Sequence, residues 1–326
     1  LSSNALTLGL DDASDISLAA GDIQLHANSE DQQSMTIKTV KFGYSRTVVG
    51  FDALEKPLTE RRLHIELSTA LEDGQSYLLK FTGKPLQDIA FTYKADAITR
   101  TIQVNQVGYL PSSRKTAFVG NWLGSAGPLA VTAQRFDVID ENSGKVLFSN
   151  ELKLVSDSDP WSGNAVYHAD FSRLQTAGQY HLFIRGVGRS DSFQISPGAY
   201  RDVYRKTFRL FYQSRNSIAL TEANADPGFE RPAGIPQSLS GLIHPSIVSS
   251  PFAGDETAES FRSISSGWFD AGDYGQYIVN AAPVWHAFAA GIDLRPHNFV
   301  SDDMGILESS NGVPDVIDEL EWGMNW

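Results

Sequence analysis

Apolar residues recur at every second position through much of the first two hundred residues, and at every third and fourth position after them. Leu6, Leu8 and Leu10 alternate with small or polar residues, as do Ile23 and Leu25, and then Leu63, Ile65 and Leu67. Period two marks strands with one buried face. Asp73-Gly74 stands between the Leu63 run and Tyr77–Phe81 and predicts a hairpin. Regular short strands of this kind predict a β-sandwich over residues 1–98. A second β-rich stretch covers 99–196. Ile102 and Val104 open it, and Lys115–Val119 follows. Phe136–Ile139 and Val146–Phe148 flank the turn Asn142-Ser143-Gly144, Tyr167, Ala169 and Phe171 alternate, and Tyr180–Ile184 follows Gly178. This predicts a second sandwich of immunoglobulin-like size.

The period changes after Pro197-Gly198. Tyr200, Val203, Tyr204, Phe208, Phe211 and Tyr212 fall on one face of an amphipathic helix. Ala281–Ala290 is apolar and helix-like. Pro314 opens a further helix, with Asp315 and Asp318 in its acidic first turn and Val316, Ile317, Leu320 and Met324 on its buried side. The order is β, β, α, with a helical region over 197–326. A long loop between about 222 and 275 leaves few helices there, and the last helix has no following partner for its apolar face. Further sequence is therefore expected after Trp326.

Composition narrows the function. A hydrophobic fraction of 41% supports buried cores and excludes wholesale disorder. The 39 acidic and 26 basic residues give a net charge of −13, which argues against binding a phosphate backbone. The absence of cysteine excludes thiol catalysis, disulfides and thiolate metal sites. No apolar run approaches the roughly 18 residues of a membrane helix. The chain begins at Leu1 with no Met and no leader, as a processed or trimmed chain does.

Chemistry concentrates in Ser266-Gly267-Trp268-Phe269-Asp270-Ala271-Gly272-Asp273-Tyr274-Gly275-Gln276-Tyr277. Two carboxylates three residues apart sit among small residues and four aromatics. Such a pair can position and deprotonate a water molecule, and aromatic faces stack on sugar rings. The same spacing also suits a helix-capping loop or a calcium loop, and spacing alone leaves all three open. Trp122, Trp161 and Trp285 are expected in core or interdomain positions. The seven histidines show no H-x-x-x-H or H-E-x-x-H spacing and read as structural.

Gly267–Gly275 resembles the signature of glycoside hydrolase family 9, the inverting cellulase family. Gln103-Val104-Asn105-Gln106-Val107-Gly108-Tyr109-Leu110-Pro111 resembles the opening of the immunoglobulin-like domain that precedes many of its catalytic domains. Gly312-Val313-Pro314-Asp315-Val316-Ile317-Asp318-Glu319 resembles the helix after the catalytic loop, and Phe211–Arg215 loosely matches the first barrel helix. The resemblance covers about residues 100–326. It implies the first part of an (α/α)6 barrel over 197–326, which the two β-sandwich domains read from periodicity, 1–98 and 99–196, precede.

The resemblance also implies roles. Asp273 is the general base, and Asp270 helps hold the water. Trp268 and Tyr274, read from their residue type, either line the substrate cleft or pack the barrel. The general acid is a glutamate expected beyond Trp326, so neither Glu319 nor Glu321 is assigned. The implied activity is internal cleavage of β-1,4-glucan by a secreted, periplasmic or cell-surface bacterial enzyme. The alternatives are an exo-acting glucosidase or glucosaminidase of the family and a non-catalytic carbohydrate-binding protein with a degenerate barrel. No cofactor is required. Many relatives carry a Cys/His cluster after an Arg-Pro, but Arg231-Pro232 is followed here by Ala233-Gly234-Ile235, which speaks against that zinc site. Calcium is common in the family, and no residue is assigned to hold it. Nucleic acid and membrane spans are not expected, and oligomeric state is left open.

Overall fold

Alternating Leu63, Ile65 and Leu67 in the first sheet are 0%, 0% and 4% exposed, so the period-two pattern does select one buried face. The computed structural model describes residues 3, 5–10, 18–27, 36–234, 265–272 and 274–326. They form two compact units, Leu1–Ala199 and Tyr200–Trp326.

The first unit holds two antiparallel sheets. Strands β1 (Ala5–Leu10), β2 (Ile23–Ala27), β3 (Thr36–Phe51), β4 (Pro57–Leu67), β5 (Ser76–Phe81) and β6 (Ile89–Thr92) run in the order β1-β4-β3-β2-β5-β6. The long β3 pairs with β2 through residues 36–38 and with β4 beyond Thr39, with a register shift between Thr39 and Lys41. One strand thus serves two layers. Leu63, Ile65 and Leu67 of β4 share a core with Ile23 and Leu25 of β2 and with Tyr77, Leu79 and Phe81 of β5. Asp73-Gly74 is not the hairpin that its dipeptide predicts. β4 pairs with β1 and β3, β5 pairs with β2 and β6, and the turn carries the chain between layers.

The second sheet contains β7 (Ile102–Gln103), β8 (Thr116–Val119), β9 (Arg135–Asp140), β10 (Val146–Ser156), β11 (Val166–Asp170), β12 (Gly178–Ile184) and β13 (Gly188–Arg189), in the order β13-β12-β9-β10-β11-β8-β7. Strand β14 (Phe193–Ile195) also pairs with β12. Strand β10 repeats the device of β3, pairing with β9 through 146–151 and with β11 through 152–156. The predicted β9–β10 hairpin is present, and its turn is tied by Ser143 N and Oγ, which both donate to Asp140 Oδ1. Phe136, Val138, Leu152, Phe171, Leu182 and Phe193 lie in the core, where Tyr109 meets Phe171 and Phe193 edge-on at 5.1 and 5.4 Å. The segment Asn105–Pro111 is held by its own polar groups. Asn105 N donates to the Tyr109 hydroxyl at 2.9 Å, and the fully buried Lys115 donates to the carbonyls of Leu110, Pro111 and Ser113.

The two sheets have separate cores yet interlock. Tyr44 N donates to Ser125 Oγ at 3.0 Å, and Ser3 links Gly186 and Leu71 through its backbone. Gly124 lies at φ +59°, and a Cβ there would overlap the Tyr44 carbonyl. Trp161 and Trp122, expected in core or interdomain positions, are 96% and 42% exposed and lie outside the core. Asp159 Oδ1 accepts from Trp161 N and Ser162 N, closing a tight turn whose tip projects the indole outward.

The second unit has three helices of eight or more residues among its described residues: α1 (Arg201–Gln213), α2 (Ile278–Leu294) and α3 (Asp315–Met324). Phe208, Tyr212, Leu220, Met304, Ile306 and Val316 form its core. The buried stripe of α1 is narrower than predicted, because Tyr200 and Val203 are exposed. In α3 the buried face carries Asp315, Val316, Glu319 and Gly323, while Ile317 and Met324 are exposed. Asp315 accepts from Met304 N at 2.5 Å and Ser309 Oγ at 2.8 Å, so it anchors the preceding loop instead of facing water. Burial pushes its carboxyl up. Trp285 is half-buried. No helix among the described residues is long and apolar enough to cross a membrane.

Gly124→Ala should destabilise the protein by about 1–3 kcal/mol, read as a lowered urea midpoint at constant slope. His64 is buried, with Thr7 Oγ1 and Ser45 Oγ each 2.8 Å from its ring nitrogens. Burial, then Arg62, lowers its pKa, so the fold favours the neutral ring. This share of stability is complete above the unfolded value of about 6.5 and declines as pH falls below it. His64→Gln should flatten that part of the stability profile between pH 7.5 and 5.5.

Candidate active site

Helix α1 ends at Gln213, and the next three residues meet the aspartate-bearing loop as a short antiparallel bridge. Phe269 N donates to the Ser214 carbonyl at 2.7 Å, and Asn216 N donates to the Gly267 carbonyl at 2.9 Å. Helix α3 grips the same loop from the other side. Gly267 N donates to Trp322 O, and Trp322 Nε1 donates to Gly267 O, both at 3.1 Å. A Cβ at Gly323 would overlap the Trp268 ring, so glycine there lets indole and helix touch.

Beneath the loop lies a charged core. Arg215 and Glu319 are both fully buried. Arg215 Nε donates to Glu319 Oε1 at 3.1 Å, and Arg215 Nη1 lies 2.9 and 3.0 Å from the two oxygens of Glu308. Trp268 Nε1 donates to the same Glu319 Oε1 at 2.7 Å. The guanidinium also lies 4.5 Å from the Trp322 ring and 5.0 Å from the Tyr212 ring. Burial pushes the Glu319 carboxyl up, against the pull of Arg215 and the Trp268 N–H. Burial also works against the Arg215 charge, but Glu319 and Glu308 outweigh it.

The predicted site residues separate on this frame. Asp270 is exposed; its N–H donates to the Gly275 carbonyl at 2.8 Å, and its Oδ1 accepts from Asn280 Nδ2 at 2.9 Å. Asp273 lies outside the described residues. Tyr274 is 43% exposed at φ +59°, a conformation that costs a non-glycine residue energy, and its ring meets Phe269 edge-on at 4.4 Å. Trp268 does not offer an open face for stacking. It is 8% exposed, packed on Phe211 and Phe288, with its N–H taken by Glu319. A cavity of about 200 Å³ beside Asp270 is lined in part by Phe211, Ser214, Phe269, Tyr277 and Asn280. A larger one, about 600 Å³, lies among Arg205, Arg209 and Asp226 and does not include the loop.

Sequence reasoning missed Arg215, Arg231 and Asn280. Arg231 donates to the carbonyls of Gln213 and Arg215 and lies 5.3 Å from the Phe269 ring, which ties the end of α1 to the loop. Asn280 carries a legible signal: it is the only polar residue from Ile278 to Trp285. Among the described residues, no group of three or more His, Cys, Asp or Glu side chains is arranged to hold a metal ion.

Residues 97–189 match the cellulase N-terminal ig-like domain. A xyloglucan-specific endo-β-1,4-glucanase of Bacteroides ovatus is 31% identical over 225 residues, which are 69% of this chain and 35% of that protein. The solved structure of a Bacteroides ovatus GH9 protein matches 69% of this chain and 38% of its own at 30% identity and a TM-score of 0.58. The chain belongs to glycoside hydrolase family 9. A metagenome-derived family 9 endoglucanase structure agrees, at 31% identity and a TM-score of 0.59 over 69% of this chain and 39% of its own. The family 9 chain spans about a third of the length of the first curated relatives it matches.

Removing one partner from the buried pair tests the frame. Glu319→Ala should cost about 3–5 kcal/mol by stranding the Arg215 charge. Glu308→Gln, at a 31% exposed side chain, should cost about 1 kcal/mol or less. Urea denaturation of both variants provides the comparison.

Proposed function

We propose that the chain is the front part of a secreted or cell-surface glycosidase that hydrolyses β-1,4-glucan internally with inversion at the anomeric carbon. Residues 1–98 and 99–196 are non-catalytic β domains, and residues 197–326 are the first part of an (α/α)6 barrel. The observation that carries the reading is the environment of Asp270: an exposed carboxylate on a loop whose preceding residues are fixed by Arg215, Glu319 and Trp322.

Asp273 takes a proton from the attacking water, Asp270 orients that water, and Tyr274 offers a partly exposed ring to the sugar. Glu319 is not the general acid, because its carboxyl is fully buried and Oε1 is occupied by Arg215 and Trp268. An inverting enzyme keeps acid and base roughly 6.5–9.5 Å apart to admit the water, so the acid is a separate carboxyl. The xyloglucan activity named for the Bacteroides ovatus relative makes branched β-1,4-glucan a substrate to assay beside linear glucan.

Asp273→Asn in the full-length protein should lower turnover on both polymers by at least about 10²-fold while leaving the melting temperature unchanged. Reducing-end release measures turnover, and the anomer first formed reports the stereochemistry. Substantial residual activity would falsify the base assignment, and a retained anomer would refute inversion.

A further inference from the structure

Asn280 stands where helix chemistry gives it little reason to be. It lies in the first turn of α2, within the apolar run Ile278-Val279-Asn280-Ala281-Ala282-Pro283-Val284. Asparagine costs a helix up to about 0.7 kcal/mol relative to alanine. Its side chain does not repay this by capping, since α2 makes no side-chain cap bond. Its Nδ2 instead lies 2.9 Å from Asp270 Oδ1.

The direction of that bond is fixed by chemistry. A carboxylate only accepts and an amide nitrogen only donates, so Asn280 can hold Asp270 where aspartate of the same shape could not. The other constraint on Asp270 is its backbone bond to Gly275. Main chain and side chain are therefore secured from two different segments, and a carboxylate with one oxygen engaged presents the other to a water. Both residues line the 200 Å³ cavity beside the loop.

We propose that Asn280 is a positioning residue that aims the Asp270 carboxylate at the water to be activated. This role rests on the water-orienting reading of Asp270. Asn280 is exposed, so substitutions there leave the core intact.

The test measures kcat, KM and melting temperature on soluble β-1,4-glucan for the full-length protein. Asn280→Ala should lower kcat by about 10- to 100-fold, as a misplaced group does, with KM and melting temperature unchanged. Asn280→Asp keeps the shape but sets an acceptor against the carboxylate, and should lower kcat at least as far. In an Asp270→Ala background, Asn280→Ala should have no further effect, because its influence passes through Asp270. Wild-type kcat in Asn280→Asp, or additive losses in the double variant, would overturn the role while leaving the hydrolase reading in place. Absence of β-1,4-glucan hydrolysis by the wild-type protein would overturn both.

Discussion

A guanidinium removed from water costs several kcal/mol unless charges and hydrogen bonds replace its hydration. Arg215, fully buried, meets that requirement with Glu319 on α3, with Glu308 in the loop before α3, and with the rings of Tyr212 and Trp322. Glu319 and Trp322 lie on α3, Glu308 in the loop before it and Tyr212 on α1, so satisfying one cation fixes three pieces of backbone at once. The loop bearing Asp270 joins through Trp268, whose N–H shares the Glu319 oxygen. The geometry of the candidate site therefore follows from an electrostatic need a few residues away from it.

The same unit separates its carboxylates by environment. Glu319 and Asp315 are buried, pushed up by desolvation, and bound by donors. Asp270 faces solvent, and its carboxylate accepts from the Asn280 amide. Buried carboxylates with their donors engaged do structural work, and an exposed one held in a fixed orientation suits chemistry on a bound molecule.

Periodicity made the strands and helices legible, because burying one face imposes period two or 3.6 whatever the neighbours are. It said nothing about which strands pair. Asp73-Gly74 has hairpin chemistry, yet β3 already occupies one side of β4 and β1 the other. Polarity gives no sign that Asp315 and Glu319 of α3 are buried, because the sequence does not reveal that Met304, Ser309, Arg215 and Trp268 supply their donors. Trp268 and Asp270 are two residues apart in one motif, and the structure gives them opposite environments, one buried by Gly323 and Glu319, the other open. Asn280 could have been singled out as a lone polar residue in an apolar run, but its partner is ten residues away and across a turn.

Strands β3 and β10 each belong to two layers, and this changes how the first unit meets its surroundings. A strand shared in this way pairs on one side only in each layer: β3 meets β2 through 36–38 and β4 from Thr39 onward, and β10 meets β9 through 146–151 and β11 through 152–156. The outermost strands among the described residues are short: β1 has six residues, β6 four, β7 two, and β13 and β14 two and three. Parallel bridges from Ile98 and Tyr109 partly cover β13 and β14. Unpaired edges are where β proteins add foreign strands or stack on copies of themselves. The short outermost strands leave little main chain at the ends of each sheet for that kind of self-association.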